Sequence, residues 1–447
     1  MKKLAVIFAL SALVAALSCS QKVDYSAELD SIAESYVKLV LRVGLYDADY
    51  VDFYIGPEEW KPADTAAEKE AYPLARLTAE ADSLMNQLLA VGRDRFEGLQ
   101  ADRFEFLLIQ VRAVKAKTEL LSGRKMSFDE ESMALYDAVA PPFDETHHDS
   151  LLAELDGLLP GSGDIPARLE QFRSRFTVPK EKLDTVFSTA LAEARQRTAQ
   201  YIELPPGETL DVEFVENKPF GAANWYKGSG HSLLQLNTSV PCLIDWVMHM
   251  ACHEAYPGHH TNSTLLDIHL VQDSGWIEYS VSPTFSPRPT VAEGIAQYAD
   301  HVMFSTEERV AFDKQVLFPV AGLDTAGADL YYEIVEITGS LSADADIARR
   351  YVDGLISGPE AERMFIEKSL YSPEMAKNIV PMLDVYGSYI INYSVGEQVV
   401  SDYMDKMTAS PGGPEQRWAV FRELLSRPQT LSGLKAKAIP NIRIARR

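Results

Sequence analysis

The chain has 447 residues, 46% of them hydrophobic and 24% charged, the balance of a folded globular protein long enough for two or three domains. Acidic residues outnumber basic ones 65 to 42, for a formal net charge of -23. Such a surface repels phosphate backbones and excludes nucleic acid as a partner. Three cysteines are too few for a disulfide scaffold or a cysteine-based zinc cluster.

In chain order, Met1-Lys2-Lys3 and the apolar run Leu4 to Leu17 have the pattern of a secretory signal peptide, too short to span a bilayer comfortably. It is the one long uncharged run, which excludes a polytopic membrane protein. Ser18 before Cys19 looks like a bacterial lipoprotein signal. Cleavage after residue 18 and acylation of Cys19 are expected. Ser20 after the cysteine favours the outer membrane. The expected mature protein is exported and lipid-anchored to the bacterial cell envelope. Were Cys242 and Cys252 on one helix, they would lie about 15 Å apart. A disulfide needs Cα atoms within about 7 Å, so two free, buried thiols are expected.

From about Tyr25 to Ile202 the spacing is mostly helical. Leu29, Ile32, Tyr36, Val37 and Val40 form one face. Phe104, Leu107, Leu108 and Val111 form a second, with Gly123 as a stop. Leu183, Val186, Phe187, Ala190, Leu191 and Ala194 form a third. Leu159 to Asp164 is a loop. After Pro205-Pro206-Gly207 the period changes to two: Leu210, Val212 and Phe214 predict a strand. Leu233 to Leu236 predicts another, after the turn Lys227-Gly228-Ser229-Gly230. Helical spacing resumes from Pro241 to about His253, with Pro241 in the first turn and Ser239 as cap. It returns from Val291 to Phe304 and through most of 325–405, and Ser410 to Pro414 is a late loop.

Seven of the nine histidines fall between His231 and His301. Inside that window, His253-Glu254-Ala255-Tyr256-Pro257-Gly258-His259-His260 follows an apolar helix face. A His-Glu pair on a buried helix is half of the H-E-x-x-H zinc site, in which two imidazoles bind the metal and Glu takes a proton from water. The spacing departs from that motif. In a regular helix His259, six residues on, lies about 240° around from His253, and His260 about 10 Å further along the axis. Pro257 resolves the conflict, because its ring clashes with the carbonyl of His253 and it has no N–H to donate. Gly258 permits the dihedrals of the resulting bulge. The distortion returns His259, or else His260, to the metal side, with His249 as a further candidate in a regular helix. A catalytic zinc site needs three protein ligands and an open position. Glu293 is a candidate third ligand, although Thr290-x-x-Glu293 also has the form of a capping box. Gln297 and Asp300 share its face, where they either orient a metal-bound imidazole or face solvent.

HEAYPGHH (253–260) followed by AEGIAQYAD (292–300) resembles the domain-of-unknown-function 885 family, bacterial proteins grouped with the zincin metallopeptidases. The pattern His-Glu-x-x-Pro-Gly-His-His is met in full, and Glu-Gly-x-Ala-x-Tyr is met by Glu293, Gly294, Ala296 and Tyr298. Ile295 stands where Trp is usual, a change that bears on packing. Gln235 to Thr238 looks like the strand before the motif helix, and Tyr393-Ser394-Val395-Gly396-Glu397 like a late Tyr-x-x-Gly element. The resemblance covers about 205–405. It implies a mainly α, two-lobed helical cleft fold with a small β-sheet beside a zincin-like active-site helix. It also implies one Zn2+ on His253, His259 and Glu293, with Glu254 as general base. The chain then divides into a signal peptide (1–18), an N-terminal helical region (19–204) and a zincin-like catalytic region (205–447).

The expected activity is metal-assisted hydrolysis of a peptide bond in a peptide or small protein. Tyr393 is a candidate oxyanion donor, with Tyr389, His231 and Tyr256 as alternatives. The strand 233–237 offers an edge for an extended peptide. Arg288, between two prolines, is read as a solvated loop arginine or a receptor for a substrate carboxylate. Two rival readings are a metal-dependent amidase or esterase of the envelope and a metal-binding surface lipoprotein without turnover.

Overall fold

The computed structural model describes residues 25–218, 220–409 and 413–438. The expected leader, the expected lipidation site Cys19 and residues 410–412 of the late loop lie outside them. Five strands are numbered β1 (Val51–Tyr54), β2 (Thr209–Val215), β3 (Ala222–Gly228), β4 (His231–Asn237) and β5 (Val281–Pro283). The helices that position the candidate site are α1 (Ser26–Val43), α2 (Gly98–Leu121), α3 (Leu183–Thr198), α4 (Ile244–Met250), α5 (His259–Leu266), α6 (Pro287–Gln297), α7 (Ala299–Met303) and α8 (Ile391–Thr408). The chain is mainly helical with a small amount of sheet, as expected, and no described helix is long and apolar enough to cross a membrane.

The three expected helix faces of the first half are buried. Leu29, Ile32, Tyr36, Val37 and Val40 line α1, and Phe104, Leu107, Leu108 and Val111 line α2. Leu183, Val186, Phe187, Ala190 and Ala194 line α3. Gly123, at φ 93°, provides the left-handed turn that stops α2. One apolar cluster runs from Leu29 to Leu434 and so draws on both regions that the sequence suggests. A buried bidentate pair adds to it. Arg103 on α2 holds Glu278, just before β5, at 2.6 and 3.1 Å, and reaches Asp30 on α1 at 2.7 Å. Breaking one partner of such a pair leaves an uncompensated buried charge.

Several sequence expectations need correction. β1 interrupts the region read as helical and pairs antiparallel with β5. Short strands of this kind have too few residues to show a period. β3 also went unread, because Ala-Ala-Asn-Trp-Tyr-Lys-Gly carries no clean alternation and is poor in branched residues. The sheet order is β2-β4-β3, with β2 parallel and β3 antiparallel to β4. The strand proposed as a peptide-binding edge is thus the central one, hydrogen-bonded on both sides. The motif helix starts at Ile244, not Pro241. Ser239 Oγ instead accepts from the backbone N–H of Asn217. Gly413 and Pro414 begin a helix rather than ending a loop. Both cysteines are free, but only Cys252 is fully buried.

Helices α6 and α8 cross with their backbones in close contact. A Cβ on Gly294 would sit 2.3 Å from the carbonyl oxygen of Gly396, and one on Gly396 would sit 2.4 Å from that of Thr290. Thr290 Oγ1 also donates to Asn392 Oδ1 at 2.7 Å across the same contact. The two glycines therefore let the backbones touch, which sets Glu293 against the face of α8 that carries Tyr393. We predict that Gly396→Ala lowers stability by about 1–3 kcal/mol, the usual cost of overpacking. Urea denaturation of the two proteins checks this through the shift in midpoint.

Candidate metal centre

The path from β4 to the site is short. After the strand, Thr238 to Leu243 lead into α4, whose Ile244, Val247 and Met248 are buried. The helix then widens. Ala251–Ala255 is a π-helical turn, with Tyr256 N–H bonding Ala251 O at 3.1 Å and Gly258 N–H reaching Cys252 O at 2.9 Å. The missing N–H of Pro257 and its cis peptide bond to Tyr256 lie in this stretch. A Cβ on Gly258 would fall 1.9 Å from the carbonyl oxygen of His253, so no other residue fits the corner. A new helix, α5, begins at His259. The distortion is hence a helix break and restart rather than a bulge within one helix.

This corner brings His259 Nε2 to 3.2 Å from His253 Nε2, with the rings edge to face. Glu293 Oε2 on α6 lies 3.4 Å from His253 Nε2 and 3.7 Å from His259 Nε2. The expected capping box at Thr290 does not form: α6 starts after Ser286, and Thr290 is inside the helix, bonded to Asn392. Glu293 is therefore free to face the imidazoles, and its Oε2 is buried without a hydrogen bond.

The three atoms suit one divalent cation. Tetrahedral bonds of about 2.1 Å put donors about 3.4 Å apart, close to the observed triangle. Two imidazoles and a carboxylate are also a ligand set of catalytic zinc sites. Among the described residues, this is the one group of three or more such side chains close enough to share an ion. Electrostatics point the same way. Burial alone would lower the His259 imidazole, but Glu293, with Glu254 and Asp52 behind it, pushes it up to about 9. Burial opposes ionisation of Glu293, yet His259 and His253 hold its carboxyl far below the usual range. In the metal-free protein a proton on His259 supplies the positive charge that this arrangement requires.

The other candidates are placed as follows. His260 turns away, its Nδ1 2.8 Å from Ser232 Oγ. Tyr256 donates to Glu208 at 2.8 Å, and His231 pairs with Asp211 on the neighbouring strand at 2.9 Å, so neither faces the triangle as an oxyanion donor. Glu254 is buried beside His253, and Asn224 on β3 donates to its backbone carbonyl at 2.7 Å. Tyr393 is 41% exposed. The protein crowding its hydroxyl, then Glu293 and Glu254, hold it well above the ordinary tyrosine range. Tyr389 packs edge-on against it.

Asp300 does not orient His253 or His259. It pairs with His249 at 3.2 Å and with Arg309 at 3.3 Å. The motif helix and the α6–α7 segment run antiparallel, so His253–Glu293 and His249–Asp300 are successive rungs between them. Arg288 is not a solvated loop residue. It lies in the first turn of α6, donates from Nη1 to the carbonyls of Tyr279 and Val281 at 3.0 and 2.8 Å, and covers the Phe53 ring. Sequence reading missed Asp52, a lone acid on β1 that bears on His259 and Glu293. No local pattern marks it.

No family profile and no curated protein matches the sequence. Among solved structures, the chain is similar to a provisionally assigned lipoprotein of Colwellia psychrerythraea at 14% identity and a TM-score of 0.51, covering 84% of this chain and 72% of that one. A provisionally assigned lipoprotein of unknown function from Shewanella oneidensis matches at 12% identity and a TM-score of 0.46, with 81% and 72% covered. A chain named BsuCP matches at 12% and 0.43, with 90% of each covered. At such identities the likeness concerns the fold alone, and the first of these structures shares it.

The His259 shift has a direction in pH. Its imidazole is raised from 6.5 to about 9 on folding, so its contribution is fully present below about pH 6.5 and lost as pH rises to 9. We predict that metal-free protein loses stability over pH 6.5–9. Saturating zinc, which binds only the deprotonated imidazole, should remove much of that loss. Thermal unfolding across pH, with and without metal, checks both.

Proposed function

We propose that the protein is a zinc-dependent hydrolase that cleaves peptide bonds with Glu254 as general base. The observation that carries this reading is the convergence of His253, His259 and Glu293 within 3.2–3.7 Å of one another, beside a buried glutamate of the same motif. The resemblance of the motif to that of the domain-of-unknown-function 885 family, grouped with zincin peptidases, supports it.

A zinc ion held by these three side chains supplies a Lewis acid that polarises a carbonyl and lowers the pKa of water. Glu254 takes the proton of the attacking water and passes it to the leaving amine. Its place next to His253 puts the carboxylate beside the ligand set, and Asn224 steadies its backbone. Tyr393 is the donor toward the developing oxyanion. Its hydroxyl stays protonated at neutral pH, as a donor must. β3 is an outer strand of its sheet and touches the motif turn through Asn224. It replaces β4 as the edge along which an extended peptide pairs.

The same reading places the protein in the bacterial envelope. The leader and Cys19 support this, as does the lipoprotein name of the Colwellia neighbour. Glu254→Gln should abolish hydrolysis, by about 100-fold or more for loss of a general base, while zinc remains equimolar. A peptide-library digest read by mass spectrometry, paired with metal analysis, checks this. Turnover equal to wild type would remove Glu254 from the mechanism.

A further inference from the structure

The residues on either side of the corner are both tied to the small sheet. On the approach side Tyr256 is buried, and its hydroxyl donates to Glu208 Oε1 at 2.8 Å. Glu208 stands directly before β2 with its carboxylate almost fully buried, and Arg195 on α3 holds it at 3.2 and 3.4 Å. On the far side His260 is fully buried, with Nδ1 hydrogen-bonded to Ser232 Oγ at 2.8 Å. Ser232 belongs to β4, flanked there by Leu210 of β2 and Tyr226 of β3. The Tyr256 and His260 rings meet edge to face, with centroids 5.1 Å apart. Thr261 Oγ1 closes the corner by donating to the carbonyl of Ala255 at 3.1 Å.

The consequence is rotational. Successive residues of an α-helix point about 100° apart. With His260 turned onto the sheet, His259 in the same first turn of α5 points away from it. That is the direction in which His253 and Glu293 stand, at 3.2 and 3.7 Å. The first turn of a helix has no intrahelical acceptors for its own N–H groups, so the backbone alone holds its rotation weakly. The Ser232–His260 and Glu208–Tyr256 bonds hold it instead. A fully buried imidazole is a costly way to fill space, because an aliphatic side chain would pack there with no polar atom to satisfy.

We infer that His260 and Tyr256 are positioning residues of the metal centre: by bonding Ser232 and Glu208 they aim His259 at the ion. This rests on the reading of the triangle as a zinc site and adds the groups that set its second ligand.

The test reads the metal rather than turnover, through chelator competition for zinc and the visible spectrum of cobalt-loaded protein. Ser232→Ala and Tyr256→Phe each delete one hydroxyl and little else. Each should weaken zinc binding about tenfold, the lower end of the cost of losing an outer partner, and should shift the cobalt bands. His260→Leu should weaken it at least as much. His260→Asn, whose amide can stand where Nδ1 stands, should recover most of the affinity. Zinc affinity and cobalt bands equal to wild type in both hydroxyl deletions overturn the proposal, even where thermal unfolding shows lower stability, since a purely structural role moves stability alone. A loss confined to His260→Leu and not recovered in His260→Asn also overturns it, by assigning the effect to packing. Should His260→Leu fail to fold, the two hydroxyl deletions decide the matter. Failure of the zinc reading is seen separately, as wild type that takes up neither metal.

Discussion

The site depends on one steric fact: between His253 and His259 the chain must leave one helix and enter another within a few residues. Pro257 cannot continue the hydrogen-bond ladder, and Gly258 lies so close to the carbonyl of His253 that any side chain would overlap it. The π turn over Ala251–Ala255 widens the helix just before the break. Two imidazoles that a straight helix would hold on different faces thereby come within 3.2 Å. In H-E-x-x-H sites one helix face presents both ligands. Here the corner brings the two imidazoles together, and Glu254 keeps its place directly after the first histidine.

A corner alone yields two histidines. The third donor comes from α6, and its position is set by contact between backbones, with Gly294 and Gly396 removing the side chains that would hold α6 and α8 apart. The second rung, His249 with Asp300 and Arg309, fixes how the motif helix lies on α6 and α7. Three polar groups held this way, one buried and two largely so, would be costly without compensating charge. The high His259 and low Glu293 ionisation points are the same fact expressed in protons: the pocket is built around a positive charge, and a proton takes that role when no metal does.

Much of this was legible in the chain itself. The apolar faces of α1, α2 and α3 follow from spacing alone, as does the alternation of β2, because each buries one continuous stripe. The motif announces itself through residue types, and Pro257 announces the break. What misled the reading were features with an equally good local explanation. Ser239 and Pro241 form a plausible helix start, but Ser239 serves the loop at Asn217 instead. Thr290 and Glu293 have capping-box spacing, but the helix had already begun at Pro287. Arg288 between two prolines resembles a solvated loop, whereas tertiary contacts bury it against β1 and the carbonyls before β5.

Residue types and spacing along the chain thus determined the helical class, the identity of the ligand-type side chains and the need for a helix break near Pro257, since each follows from interactions within a few residues. Only the tertiary structure decided that Glu293 closes the triangle, that β4 is central rather than an edge, and that Arg288 is tied to the carbonyls before β5. Those outcomes depend on which segments pack together, and local sequence carries no record of that.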